Sequence, residues 1–243
     1  MPTTFVLVHG AWHSGQAWSR VVPLLGASGS RVFAPTLTGY GETRHLLGPD
    51  VGLGTHVADV VRLLVDEDLS DVVLVGHSYA GMVISGVANQ VPERIARLVY
   101  LDAMVPADGE SALDVLPVSR NMIGDDWRVP APPAPFGLFG LTDAADIAWL
   151  NTMVSDQSAL CLREPVAMDN PALGQIPRTH VHCTVKPPGV EPRPVPAVQP
   201  NGDPADVREL PTGHDCMITM PAELAGLLLD VASRTPVRAG AGR

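Results

Sequence analysis

Apolar residues along this chain fall into short runs, separated by stretches in which they recur every three or four positions. Residues 4–10 (TFVLVHG) form a β-branched run closed by glycine. Five further runs follow at 31–36 (RVFAPT), 71–78 (DVVLVGHS), 97–103 (RLVYLDA), 179–185 (THVHCTV) and 206–211 (DVRELP). Nearly continuous apolar strands of this length predict a sheet covered on both faces. Between the runs the period becomes helical. Residues 14–27 begin at a serine and put Trp18, Val21, Val22 and Leu25 on one side. Residues 55–67 begin at Thr55 and carry Val57, Val60, Val61 and Leu64. A helix over 79–90 follows Ser78 directly, and 221–233 opens with a proline before ELAGLLLDVA. This alternation predicts an α/β fold: a mostly parallel six-stranded sheet with helices on both faces and right-handed crossovers.

The alternation breaks after the fourth run. Residues 104–178 are rich in proline and glycine, as in VPAPPAPFGLFG (129–140), and contain no convincing strand. One helical pattern, DAADIAWLNTMV (143–154), lies inside. The expected organisation is a core of 1–103 and 179–235, with a cap inserted at 104–178 over the C-terminal ends of the strands, where such sheets bind ligands. Residues 186–202 read as a proline-rich surface loop, and 236–243 as a disordered tail.

Composition narrows the function. The 243 residues are 46% hydrophobic and 17% charged, as in a globular protein with a large core. A net charge of −10 repels phosphate backbones, so no nucleic-acid partner is expected. No apolar segment reaches membrane-spanning length and MPTTFVLVHG lacks a basic leader, so a cytoplasmic enzyme without a membrane partner is the expectation. The three cysteines, Cys161, Cys183 and Cys216, are too few and too scattered for a disulfide framework and read as buried, inert thiols. Lys186 is the only lysine.

The chemistry gathers at GHSYAG (76–81). Ser78 stands where an apolar strand meets a helix, in a tight turn that lifts the side chain over the helix N-terminus. Such a turn needs small neighbours, and Gly76 and Ala80 supply them; Gly81 reads as an ordinary helical residue. A serine hydroxyl needs a base. His214, in PTGHDCM after the sixth run, is placed for that role. The acid behind it is the open question. Lys186 stands where a carboxylate after the fifth strand is expected, and Glu191 and Asp203 lie farther on. Asp102, at the end of the fourth run beside the nucleophile strand, is the preferred candidate, ahead of Asp108 and Asp215. The oxyanion would be held by the N–H groups of Tyr79 and of Ala11, in the loop HGAWHSG. Trp12 and His13 in that loop, with Trp127 and Trp149, are candidate substrate contacts; Phe136, Phe139 and Met153 are candidate wall residues. His77 reads as packed. His180 and His182 alternate on one strand without a third ligand, so no metal is expected.

HGAWHSGQAW, TLTGYGE, VGHSYAGMVISGV, RIARLVYLDAMVPADG and LPTGHDCMITMPAELA together resemble the α/β-hydrolase superfamily, in a bacterial esterase-like branch related to plant methyl esterases and hydroxynitrile lyases. The resemblance implies a hydrolase fold lacking the first two strands, no cofactor, Ser78 as nucleophile, His214 as base, and Ala11 and Tyr79 as oxyanion donors. The family reads GHSYGG, so Ala80 is a departure, and the plant acid after the post-cap strand has no counterpart here. Lyases of the branch carry a threonine and a lysine where this chain has Gly10 and Asp215, which favours ester hydrolysis over cyanohydrin cleavage. The expected activity is serine-dependent hydrolysis of a small or medium apolar ester, thioester or lactone. Competing readings are a lyase or cyclase using His214 as general base, a cofactor-free oxygenase, and a binding protein.

Overall fold

A computed structural model describes residues 2–134, 139–186 and 194–235. Six parallel strands form one sheet: β1 (Thr4–Val8), β2 (Arg31–Phe33), β3 (Val72–His77), β4 (Ile95–Leu101), β7 (Arg178–Cys183) and β8 (Asp206–Leu210), in the order β2-β1-β3-β4-β7-β8. Every residue of β1, β3 and β4 is buried, as their unbroken apolar runs require. The edge strand β8 instead alternates, with Val207 and Glu209 exposed and Asp206 and Arg208 half-buried. The second run ends at Phe33 rather than at residue 36, since Pro35 has no N–H for the ladder.

The helices are α1 (Val22–Ala27), α2 (Leu53–Asp66), α3 (Ala80–Gln90), α4 (Ala112–Val115), α5 (Ala144–Leu150), α6 (Leu160–Arg163), α7 (Cys216–Thr219) and α8 (Pro221–Ser233). α1 packs against α8, and α2 against α3. The single helix expected over 14–27 is instead a 3-10 turn at Gly15–Trp18 followed by α1. Pro23 explains the break: it is tolerated only in a first turn, so the helix must restart beside it. α2 begins two residues before the expected Thr55, whose hydroxyl accepts the Gly52 N–H at 3.2 Å.

The 104–178 stretch does contain strands, contrary to expectation. β5 (Arg128–Val129) pairs antiparallel with β6 (Gln157–Ser158). Two-residue strands are too short to leave a period in the sequence. Asp143 caps α5 by accepting from Ala145 N and Asp146 N, and α5 ends at Leu150 rather than 154.

The chain leaves β1 for β2, then returns to β3 on the other side of β1. The strand order reverses there, so the C-terminal ends of β1 and β3 open a crevice, the usual ligand position in such sheets. The loop 9–15 and Ser78 are the residues that follow those two ends.

Candidate active site

Ser78 is the first residue past β3, with φ +57, in the left-handed region a side chain costs about 1–3 kcal/mol to occupy. The surroundings hold it there. Its N–H donates to Leu101 O (3.2 Å), and its carbonyl accepts from Gly81 N (3.1 Å) and Met104 N (3.0 Å). Glycines permit the close approaches. A Cβ on Gly76 would lie 2.6 Å from Ala80 O, and one on Gly10 would lie 2.8 Å from Ser78 Cβ. Gly81 is no ordinary helical residue: a Cβ added there would overlap Met104 O. The glycine missing at 80 is thus required at 81, where the segment after β4 crosses the start of α3.

Asp102 follows β4 as Ser78 follows β3, next in a register that pairs His77 with Leu101. It too is left-handed, with φ +45. Its N–H donates to Val181 O at 2.7 Å. The carboxylate, 3% exposed, accepts from His214 Nδ1 on one oxygen at 2.6 Å, and from Cys183 N (3.0 Å) and Lys186 Nζ on the other. Burial pushes its pKa up, but the His214 and Lys186 donors outweigh burial and hold it well below the usual carboxylate range. The chain's only lysine therefore lies against this acid, from the place after β7 where an acid was sought.

His214 sits in the loop after β8. Its ring lies 4.5 Å from that of His77, the residue before Ser78, and its carbonyl accepts His77 Nε2–H at 3.0 Å. With Nδ1 committed to Asp102, its Nε2 has no hydrogen-bond partner among the described residues, and neither has Ser78 Oγ. An imidazole with one nitrogen oriented by a carboxylate and the other open is equipped to accept a proton.

Tyr79 begins α3 and is fully buried. Its side chain is held by a contact the sequence does not reveal. His56 Nε2 bonds Thr38 O at 3.0 Å, and a carbonyl only accepts, so Nε2 carries the proton. Nδ1 then accepts the Tyr79 hydroxyl at 3.0 Å. Burial pulls His56 down to about 4, in keeping with a neutral ring. Ala11 is buried in the loop after β1, next to Trp12 at φ +64.

Of the proposed substrate contacts, Trp12 lies by Phe139, which in turn lies 6.5 Å from the His214 ring. His13 is 1% exposed with both ring nitrogens engaged, so it is turned into the protein rather than toward a ligand. Trp149 and Trp127 are stacked by Arg20 (4.7 Å) and Arg128 (5.0 Å), with no hydrogen bond or ring contact to Ser78, His214 or Asp102 among the described residues. Met153 is buried, and Phe136 lies outside the described residues. The 104–178 segment bonds to both site loops: Ser155 N donates to Trp12 O (2.9 Å), and Asp215 N to Phe139 O (3.0 Å).

His77, His214 and Asp215 present ligand atoms within 4.8 Å of one another. Each has one atom committed: His77 Nε2 to a carbonyl, His214 Nδ1 to Asp102, and Asp215 Oδ2 to His13. His77 Nδ1 and Asp215 Oδ1 have no hydrogen-bond partner among the described residues. His180 stacks on Tyr100 at 5.3 Å. The three cysteines are buried and unpaired. No helix among the described residues is long and apolar enough to cross a membrane.

Comparison with known proteins agrees with this architecture. The family described as "Alpha/beta hydrolase family" matches residues 5–227. A carbendazim hydrolyzing esterase of Nocardioides is 38% identical over 238 residues, covering 91% of this chain and 96% of its own. A pyrethroid hydrolase of Sphingobium wenxiniae is 30% identical, covering 99% and 94%. Methylesterases of Arabidopsis thaliana also match. Among solved structures, an extracellular alpha/beta-hydrolase from a Paenibacillus species, described as homologous to tobacco salicylic acid binding protein 2, superposes with a TM-score of 0.77 at 26% identity, covering 94% of this chain and 98% of that one. The chain belongs to the alpha/beta hydrolase family and is a hydrolase of the carboxylic ester class.

Proposed function

We propose that this hydrolase is a serine carboxylesterase that works through an acyl-enzyme on a small or medium, mostly apolar ester, thioester or lactone. The observation that carries the reading is the 2.6 Å bond from His214 Nδ1 to the buried Asp102 carboxylate, with Nε2 unpartnered among the described residues and the ring 4.5 Å from that of His77, the residue before Ser78. His214 Nε2 takes the Ser78 proton as Oγ attacks the carbonyl carbon. The oxyanion that forms is held by the N–H groups of Ala11 and Tyr79. The leaving alcohol takes the proton from His214, and a water molecule, deprotonated in turn by His214, releases the acid and restores Ser78. Asp102 keeps the imidazole in the tautomer with its proton on Nδ1.

The 104–178 segment serves as the cap, bonded at its backbone to both loops that carry site residues. Trp12 and Phe139 form the apolar wall nearest His214. The unpaired cysteines support a cytoplasmic setting. The lyase and cyclase reading drew its force from an undefined acid, and a carboxylate on His214 weakens it.

The test is hydrolysis of a panel of methyl, aryl and thio esters, with carbendazim and a pyrethroid added because relatives are named for them. Ser78→Ala is expected to lower turnover by about 10³-fold or more, and to abolish the mass increase left by a fluorophosphonate on the wild type. Undiminished turnover in Ser78→Ala would sink the assignment.

A further inference from the structure

A buried histidine beside the proposed oxyanion loop has more hydrogen-bond acceptors than a neutral ring can serve. His13 is 1% exposed. Its Nδ1 lies 2.7 Å from Ala11 O, and its Nε2 lies 3.0 Å from Asp215 Oδ2. A carbonyl oxygen and a carboxylate both only accept, so both ring nitrogens must carry protons. The neighbouring rings are different. His9 donates from Nδ1 to Gly10 O and accepts Leu37 N–H on Nε2. His77 donates from Nε2 to His214 O and has nothing on Nδ1 among the described residues. Both fit neutral rings, and burial pulls each down to about 3.

We propose that His13 is a buried imidazolium acting as a positioning residue: paired with Asp215, it ties the loop that carries Ala11 to the loop that carries His214, and pins the Ala11 carbonyl. The geometry shows what needs pinning. Trp12, between Ala11 and His13, is held at φ +64. A charge-assisted bond across its peptide opposes relaxation to an ordinary conformation. Asp215 is 0% exposed and adjacent in sequence to His214, so any shift of His13 reaches both sides of the site.

The groups facing His13 are His9 from its own loop, His77 from β3, and His214 and Asp215 from the loop after β8, with the Phe139 ring at 4.8 Å. Asp215 is the only anion among them. Burial pulls His13 down, and the Asp215 charge and hydrogen bond overcome it, leaving the ring raised above 6.5. Burial pushes Asp215 up, and His13 overcomes that to leave it lowered. Both directions put the shared proton on the imidazole rather than on the carboxylate.

The protonation state stands independently of the esterase reading; the effect on turnover rests on it. Ring-nitrogen NMR on histidine-labelled wild-type protein tests the first part. His13, assigned by its absence in His13→Asn or through its backbone amide if that variant does not fold, is expected to show two protonated nitrogens at a pH of about 7.5, where free histidine is mostly neutral. One bare nitrogen at about pH 6.5 overturns the proposal, whatever the enzyme hydrolyses. The second part is read from kcat for an aryl ester. Asp215→Asn is expected to lower kcat about 10- to 100-fold with little change in KM. It should also move the alkaline midpoint of kcat downward together with the His13 midpoint seen by NMR. Midpoints that move independently remove the positioning role. If Ser78→Ala retains full turnover while the NMR result holds, the esterase reading fails and the imidazolium survives.

Discussion

His214 and Asp215 are neighbours in the chain, and each belongs to an imidazole–carboxylate pair, yet the pairs differ in kind. In one, the carboxylate of Asp102 is buried and the His214 side chain is 19% exposed, with Nε2 open. In the other, both members are buried, and His13 has no free nitrogen. Pairing fixes a tautomer or a charge in both cases. What sets the first pair apart is a nitrogen with no partner among the described residues, as the proposed proton transfer requires; what suits the second to a structural tie is the absence of one. Asp215 also carries a lesson about sign. Read from the sequence, its charge beside His214 opposes a departing anion. In the fold that charge is buried and paired with His13, with His77 Nε2 a further 3.9 Å from its other oxygen.

The sharpest way to break this contrast is to neutralise each acid in turn. Asp102→Asn is expected to lower kcat by about 10³- to 10⁴-fold, because the amide favours the wrong tautomer of His214. Initial rates on an aryl ester, with folding checked by circular dichroism, measure it. A loss no larger than that of Asp215→Asn would erase the distinction between the pairs. Gly81→Ala acts on stability: its Cβ would overlap Met104 O, which is backbone and cannot swing aside. A loss of about 2–4 kcal/mol in urea unfolding is expected, with esterase activity falling in parallel.

The pairs also set a pH dependence. Asp102 and Asp215 both have folded pKa values below the unfolded one. Their contribution to stability is present above about pH 4 and is lost as the pH falls through their depressed values. His13 is raised, so its contribution is complete below about pH 6.5 and is lost as the pH rises through its elevated value. Stability is therefore expected to peak between these limits, and Asp215→Asn should flatten both flanks at once; thermal melts across pH test this. Smaller effects follow from the outer partners. Lys186→Met removes one donor from Asp102 and leaves His214 and Cys183, so a loss of about three- to tenfold in kcat is expected. Tyr79→Phe leaves His56 Nδ1 without its donor and should cost about 1–2 kcal/mol of stability while preserving the backbone N–H, with kcat changed only a few-fold.

The layout of the sheet was legible because β1, β3 and β4 are buried on both faces and write that fact as unbroken apolar runs. α8 was legible because its proline marks its first turn. The split at Pro23 and the β5–β6 ribbon were not, since one depends on where a helix can tolerate proline and the other leaves too few residues for a pattern. At the site, Ser78 was legible from the strand-to-helix junction at GHSYAG, and Asp102 as one of several acids, preferred for its place at the end of the run after the nucleophile strand. The remaining details depend on residues far apart in sequence. Gly81 is required by Met104, Tyr79 is held by His56, and Asp102 is shared with Lys186. A single lysine among 16 basic residues was the one visible trace of that last contact.

The central claim is that Asp102, not Asp215, is the carboxylate on His214. The most direct measurement is proton NMR of the imidazole N–H groups in wild type, Asp102→Asn and Asp215→Asn. The His214 Nδ1–H is predicted to resonate far downfield in wild type, to leave that region in Asp102→Asn, and to stay there in Asp215→Asn. A downfield signal that survives loss of Asp102 and vanishes with Asp215 would contradict the account.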